Sequence, residues 1–434
     1  HSILLNPNIV TLDFHQHDTE AGSKSSQRTT ENTTSAPEIM EPLNLKILTL
    51  NCWGVPVPVV CKKRKERMHA IAEELSAGEY DIVFLQEVWL KADYQILKSK
   101  LCSRPYPYAH YFYSGYVGSG MCIFSKFTIQ DSIYYQFQLN GYPHKIYHGD
   151  WFGGKGVGLC RLKIQDLAVY LYITHIHAEY SHDDDEYLAH RVSQAFDMSQ
   201  FVKYTSSAAD VTILCGDLNL EPTDLGYNLI RVNTGLRDAW VEKQSTRGLE
   251  DGMTCDRPSN SFCDPKCLTH FPNGKRIDYI LYNARESLSP EVKECSLVMG
   301  KISGRSYNYS DHEGVMAHIC IQDKKNQLPS SEPEENLDQL LQKSIVVLNK
   351  GLEKAKNDKH FFITLALICA LLFYVIGVVH IPYPFDFIIT FFKIALTVSA
   401  GYGIINNIVL NKSEVNGLMS SKEDINNLLQ NLPK

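Results

Sequence analysis

"VTILCGDLN", residues 211–219, runs apolar from Val211 to Cys215 and then stops on Gly216-Asp217-Leu218-Asn219. Residues two apart on an extended strand share a face. The stretch therefore reads as a buried strand that delivers a carboxylate and an amide together at its end. Alone, Asp217 and Asn219 fit an Asx turn equally well, a common role for these residues.

The same arrangement recurs on both sides of it. Upstream, "LKILTLNCW" (45–53) ends its strand with Asn51, and "DIVFLQEVW" (81–89) ends in Gln86-Glu87. "AVYLYITHIHA" (168–178) places His175 and His177 two apart, which reads as a same-face strand pair. Downstream, "RIDYILY" (276–282) opens with Asp278, and Asp311-His312 stand just before the final strand "EGVMAHICI" (313–321). Further strands are "GMCIFSK" and "GVGLCRLKI"; helical periods occur in "KERMHAIAEELSAG", in "DYQILKSKL" and from about 184 to 204. "HDDDE" (182–186) reads as the solvated start of that last helix, favoured by the helix dipole. So many strands with interspersed helices predict an α/β sandwich: two packed sheets covered by helices. Six polar strand ends in one fixed order are a candidate site, because loops at strand ends present side chains from a rigid scaffold.

Composition bounds the partners. The chain carries a formal charge of −7 with pI near 6.2, so no overall field draws it to nucleic acid. Twelve cysteines are scattered, several inside apolar runs, which predicts reduced buried thiols rather than a disulfide framework. Cys255, Cys263, Cys267 and His270 form a loose zinc-like cluster but lack a paired CxxC spacing. The sequons at Asn32 and Asn308 are expected as chance matches.

Residues 1–42, rich in Ser, Thr, Glu and His, predict a disordered leader without a secretory signal; 43–322 is the α/β domain. Residues 323–360 read as a polar linker and then an amphipathic, basic helix. Two apolar segments, 361–380 and 387–407, predict a transmembrane hairpin; the second carries Lys393. Lys350, Lys354, Lys356 and Lys359 precede it, Lys412 comes after it, and the connecting loop has neither Lys nor Arg. The positive-inside rule then puts both ends in the cytosol, with 408–434 as a cytosolic tail helix.

Taken in order, Asn51, Glu87, His175, "GDLN" (216–219), Asp278 and "SDH" (310–312) resemble the Mg²⁺-dependent endonuclease/exonuclease/phosphatase superfamily. Within it, "LNCWGVP", "SGMCIFSK", "THIHAEY", "YLAHRV" and "SDHEGVMA" resemble the neutral sphingomyelinases, and the hairpin with "EVNGL" (414–418) after it resembles their two-span type. The resemblance implies a DNase I-like four-layer α/β sandwich, its two central sheets mostly antiparallel. It implies Mg²⁺, with Mn²⁺ as a substitute, at Glu87 and Asn51. His312 would be the general base, oriented by Asp278; Asp217 and Asn219 would position water and phosphate, and His175 would donate to phosphate. Asp311 belongs to the motif without a defined role, and His177 belongs to the narrower sphingomyelinase pattern. The implied reaction is cleavage of membrane sphingomyelin to ceramide and phosphocholine at the cytosolic face, with anionic lipids as activators. A lysophospholipase C acting on choline lysolipids and a phosphoinositide phosphatase share the chemistry. Choline would meet aromatic faces, with Tyr108, Tyr142, Tyr147, Trp151 and Phe152 as candidates.

"GDWFGGKG" (149–156) fits most of a nucleotide-binding P-loop, but Gly156 stands where Ser or Thr would hold Mg²⁺, and "VGLCRLKI" (157–164) beyond it alternates like a strand. A Gly-rich hairpin turn is the plain alternative. The resemblance makes it the P-loop-like segment of neutral sphingomyelinases, with Lys155 needed for full activity and expected to meet lipid phosphate or an anionic lipid.

Overall fold

The computed structural model describes residues 41–248, 251–324, 336–378, 383–384 and 386–432. The expected leader, apart from Glu41 and Pro42, and the centre of the polar linker lie outside them.

Twelve strands occur among the described residues. The first six are β1 (Leu43–Asn51), β2 (Ile82–Gln86), β3 (Tyr108–Phe112), β4 (Met121–Ser125), β5 (Ile129–Gln136) and β6 (Gly156–Ile164). The rest are β7 (Leu167–His175), β8 (Val211–Asp217), β9 (Arg237–Asp238), β10 (Asp278–Ala284), β11 (Leu288–Val298) and β12 (Gly314–Asp323). They form two six-stranded sheets, ordered β11-β12-β1-β2-β4-β3 and β5-β6-β7-β8-β10-β9. All pairings are antiparallel except β1 with β2 and β7 with β8, the same two places in each sheet.

The sheets pack face to face through side chains such as Leu45, Ile47, Phe84, Leu171, Ile213 and Val315. On the outer face of the first sheet, Met68, Ile71 and Leu75 of α1 (Arg64–Leu75) and Leu97 and Leu101 of α2 (Lys91–Leu101) cover Val83 and Leu85. On the outer face of the second, Met198 and Val202 of α3 (Leu188–Thr205) and Tyr227 and Ile230 of α4 (Leu225–Thr234) cover Tyr172 and Leu214. A short α5 (Ala239–Glu242) comes directly after β9. The inner strands of each sheet are thus buried on both faces, which is why they are apolar runs rather than alternating ones, whereas the edge strands β5 and β11 are partly exposed and mixed.

The C-terminal region is more tightly built than a linker, hairpin and loose tail. α6 (Leu337–Gly377) is one 41-residue helix, about 60 Å long at 1.5 Å per residue. α7 (Asp386–Ile405) continues through a π-helical turn (Asn406–Leu410) into α8 (Asn411–Gln430). Below the apolar segments, Leu340, Leu341 and Leu348 of α6 and Leu418 and Ile425 of α8 share a buried cluster with Leu139, Phe196 and Leu229 of the α/β domain. Gly351 sits against Ala189, where an added Cβ would stand 2.6 Å from the alanine methyl. The expected linker helix and tail helix are therefore a docked stem, because both carry an apolar stripe at helical spacing that the domain covers. Above it, both apolar segments are long enough to cross a membrane and few of their side chains are buried, unlike the core helices of a soluble domain.

Two local expectations change. "HDDDE" precedes the helix rather than opening it: α3 starts at Leu188, and Asp185 accepts the Tyr187 N–H while pairing with Arg191 at 2.6 Å. "GDWFGGKG" is not a tight hairpin turn. Two short 3₁₀ turns, Ile146–His148 and Asp150–Gly153, lead through Gly154 at φ +53° into β6, and no helix comes after Lys155 as a P-loop requires.

Candidate active site

The polar strand ends meet at one rim. In the second sheet the register sets His175, Asp217 and Asp278 in a single row across β7, β8 and β10. From the first sheet, Asn51 ends β1 beside Gln86, and Glu87 stands just past β2 with φ +57°, a left-handed turn that leads the chain out of the strand. Asn51 joins the two sets: its Nδ2 donates to Glu87 Oε1 at 3.2 Å and to Asp217 Oδ2 at 3.0 Å. His312, before β12, shares its Nδ1 proton with Asp278 Oδ2 at 2.8 Å and presents Nε2 4.0 Å from Asp217 Oδ2. His175 Nε2 is 3.5 Å from Asp217 Oδ2 and 4.0 Å from Glu87 Oε1.

Asn219 does what an Asx turn does and more. Its N–H donates to Asp217 Oδ1 at 2.9 Å, and its side-chain amide donates to Ile176 O at 3.0 Å. Asp311 lies beside the cluster, its Oδ1 3.1 Å from Ser310 Oγ.

Burial shapes the electrostatics. It pushes Asp217 up to about 7, with Asp278 adding repulsion, and Asp311 up to about 6. For His312 burial opposes the imidazolium, while Cys255 and Asp278 favour it, and the net position is well above the usual imidazole value. The Cys255 thiol is itself pushed up to about 12 by burial and so stays uncharged. The Asp278 carboxylate is the partner that makes His312 basic.

Lys155 corrects an expectation. Its side chain is fully buried, so its ammonium cannot reach a lipid headgroup. Three acceptors surround that ammonium: Asp150 Oδ1 at 3.0 Å, Ile176 O at 2.9 Å and His175 Nε2 at 3.0 Å. An ammonium has three protons and no lone pair, so His175 Nε2 accepts here and the ring proton sits on Nδ1. That Nδ1 is buried without a partner. Burial and Lys155 hold His175 well below the usual imidazole value, in its neutral form. Asp150, despite burial, is held well below the carboxylate range by Lys155 and His177. His177 is not a strand partner of His175, since β7 ends at His175; it stacks on Tyr187 and points Nδ1 at Asp150 Oδ2, 3.3 Å away.

Sequence reasoning leaves out Asp150, Thr254 and Ser310 as site residues, and reads Cys255 only as part of a zinc-like cluster. Thr254 Oγ1 accepts the Asp278 N–H at 3.2 Å, and Ser310 Oγ donates to Asn51 O at 2.6 Å, tying the His312 loop to β1. Asp150 and Ser310 carry a signal, since one lies inside "GDWFGGKG" and the other inside "SDH"; Thr254 carries none, and the signal at Cys255 points to zinc rather than to His312. Of the aromatic candidates, Tyr142 is buried, faces Lys354 at 4.2 Å and lies away from the rim, in the wall of a separate cavity. Tyr108, Tyr147 and Trp151 are exposed, and Phe152 packs edge-on against Trp151.

The donors suit a hard divalent cation. Asp278 Oδ1 is buried without a partner, and one ligand atom each from Asp217, Asp278 and His312 lie within 4.8 Å of one another. Glu87 adds a carboxylate beside them, while Asn51 turns its amide N–H groups toward the cluster and its Oδ1 to the Trp53 N–H at 2.9 Å. Such a carboxylate-led set fits a hard divalent cation better than a thiophilic metal. Among the described residues this is the one such group. The Cys255, Cys263, Cys267 and His270 set does not assemble, and His270 instead lies 3.5 Å from Asp183. All twelve cysteines are free thiols, as their scatter predicts. Asn308 is buried and holds Glu313 Oε1 at 3.2 Å, so its sequon is closed to modification; Asn32 lies outside the described residues.

Two mixed sheets with polar residues gathered at one rim define a protein of the endonuclease/exonuclease/phosphatase family, whose profile matches residues 48–312. The fold also matches Staphylococcus aureus beta toxin, solved in a mutant form with bound magnesium ions, at a TM-score of 0.50 and 21% identity over 64% of this chain and 99% of the toxin. Sphingomyelin phosphodiesterase 2 of Rattus norvegicus is 45% identical over 291 residues, 67% of each chain. A putative neutral sphingomyelinase of Caenorhabditis elegans is 38% identical over 403 residues, 89% of this chain and 91% of that one. The chain belongs to the neutral sphingomyelinase family.

Proposed function

We propose that this protein hydrolyses sphingomyelin to ceramide and phosphocholine, with Mg²⁺ or Mn²⁺ as the resident ion, at the cytosolic face of the membrane that its C-terminal hairpin spans. The observation that carries the reaction is the Asp278–His312 pair, 2.8 Å apart, facing Asp217 beside Glu87 and Asn51. The sphingomyelin phosphodiesterase relatives supply the substrate.

Water attacks phosphorus, and its proton passes to Nε2 of His312 in its neutral form, which a divalent cation bound beside Asp217 would favour over the imidazolium. Asp278 fixes the ring with Nδ1 protonated and stabilises the imidazolium that forms. The bond from phosphorus to the ceramide oxygen breaks, and that oxygen leaves and takes up a proton. Asp217 and Asn219 orient water and phosphate, while His175, neutral with its proton on the buried Nδ1, turns its Nε2 lone pair to Lys155 and so positions the rim rather than donating to phosphate as the resemblance implies. Glu87 would hold the ion, which when bound neutralises charge growing on phosphoryl oxygens, while Asn51 donates to the Glu87 carboxylate rather than ligating. Lys155 is a positioning residue in this scheme.

Purified full chain is incubated with sphingomyelin, a choline lysolipid, a phosphoinositide and plasmid DNA, each with Mg²⁺ or EDTA. Phosphocholine release from sphingomyelin is expected in Mg²⁺ alone, and its absence overturns the proposal. Glu87→Ala and His312→Ala are expected to lower the rate at least about 100-fold with melting temperature retained.

A further inference from the structure

A cavity of about 470 Å³ opens where the α/β domain meets the helical hairpin. The loop from Gln136 to His144 forms one wall, and the start of the first apolar segment (Phe362) and the π-helical turn with α8 (Asn406 to Glu414) form the other. It shares no lining residue with the rim where Asn51, Glu87, Asp217, Asp278 and His312 converge.

Its polar lining is short of partners and rich in acceptors. Glu414 Oε1, Asn406 Oδ1 and Asn140 Oδ1 are buried acceptors with no hydrogen-bond partner, and the ring nitrogen His190 Nδ1 is likewise buried without one. Asn406 and His190 are each only 2% exposed, so solvent does not satisfy them. Buried polar atoms of native proteins are nearly always paired, and four orphans around one cavity point to a missing occupant. Charge gives its sign. The nearby Asp358 holds Lys354 at 2.6 Å, so Lys354 acts on the Glu414 carboxylate only as a more distant charge, and His190 Nε2 lies 3.9 Å from Glu414 Oε1. Aromatic and apolar groups, Trp151, Phe152 and Phe362, complete the lining. Acceptors, a carboxylate and aromatic faces recognise an alkylammonium. Phe362 and Asn406 flank the two apolar segments, so the opening lies at headgroup depth if those segments span the bilayer.

From this we infer that the juncture cavity binds the ammonium headgroup of a membrane lipid, choline or ethanolamine, at a second site separate from the carboxylate–imidazole rim. The inference gives a place to "EVNGL", which the reaction does not use: Glu414 faces the cavity, Gly417 allows close approach to Leu139, and Leu418 is buried in the stem.

The test is calorimetric titration of the full chain in amphipol, in EDTA so that no lipid is turned over. The probes are diheptanoylphosphatidylcholine below its micellar concentration, diheptanoylphosphatidylglycerol, and free phosphocholine. Saturable binding of the phosphatidylcholine is expected, at least tenfold weaker for the phosphatidylglycerol and for phosphocholine. Glu414→Gln and Ser413→Phe, the second a bulky side chain at an exposed cavity-lining position, should each weaken it at least tenfold, and His312→Ala should not. The inference is overturned by no saturable binding, by equal binding of phosphatidylglycerol, by phosphocholine binding as tightly as the lipid, or by affinity lost in His312→Ala and kept in both cavity variants.

Discussion

Lys155 and Asp150 show how a single buried pair is coupled to the rim. The lysine's three protons are fully used by Asp150, Ile176 O and His175, and Asp150 is in turn held by the Ala178 N–H at 2.9 Å and by His177. Removing one member of such a pair leaves the other charged and unmet in a low dielectric, at a cost of about 3–5 kcal/mol. Lys155→Met is therefore expected to lower the melting temperature and to cut turnover, because His175 loses the donor that fixes its ring proton. Binding to lipid vesicles should not change, since the ammonium is fully covered. Co-sedimentation with anionic vesicles separates the two ideas: a marked loss of vesicle binding in a folded Lys155→Met would restore the lysine as a lipid contact. The double variant Lys155→Met, Asp150→Asn should recover part of the stability, because the orphaned charge is then gone too. Lys155 stands out in the sequence as part of "GDWFGGKG", but its partners do not, since Asp150 and Ile176 reach it only through the folded turn.

At the scale of elements, the two sheets repeat one plan, and the rim results from it. Asn51 and His175 end the third strand of their sheets, Glu87 and Asp217 stand at the end of the fourth, and His312 and Lys155 each sit just before the second. Polar strand ends were readable because each interrupts an apolar run that must be buried on both faces. The two-fold likeness was not readable, because it lies in strand order and not in residues. Nor was the docked stem: an apolar stripe on a helix says that a face is covered, not by what. That stem carries a buried acid. Asp197 of α3 meets Ser421 of α8, whose hydroxyl donates to Oδ1 at 3.4 Å, and burial pushes Asp197 up to about 7. The folded chain then keeps a proton that the unfolded chain releases near pH 4. Stability should fall as pH rises from about 4 to about 7, by up to about 1.4 kcal/mol per unit from this group, and level off above. Glu414, also pushed up to about 7, works in the same direction. Asp197→Asn should shallow that slope and raise the melting temperature at pH 8 while leaving it near wild type at pH 5. Melts of the full chain in detergent check this, and an unchanged slope would remove Asp197 from the account.

At the scale of the whole molecule, the stem constrains where the rim can go. α6 and α8 pack on α3 and α4 and continue without a break into the two apolar segments, so the α/β domain is held at a fixed height above them rather than on a loose tether. A flexible linker would let the site sample a wide volume; a docked helix pair holds it near the surface where lipid headgroups lie. This arrangement is useful only if both ends of the hairpin lie on the same side as the polar rim, and the basic residues before and after it, with none between, favour the cytosolic side. Tyr383, between the segments, is exposed, and so is Glu423 on α8. In sealed microsomes with the cytosolic face outward, a membrane-impermeant maleimide mass tag should add to Glu423→Cys at once. It should add to Tyr383→Cys only after detergent, each counted against the tags taken by the wild-type thiols. Immediate tagging of Tyr383→Cys would mean that the hairpin enters one leaflet and returns without crossing. The stem would then still hold the site at the surface, but the charge asymmetry would have no part in orienting it.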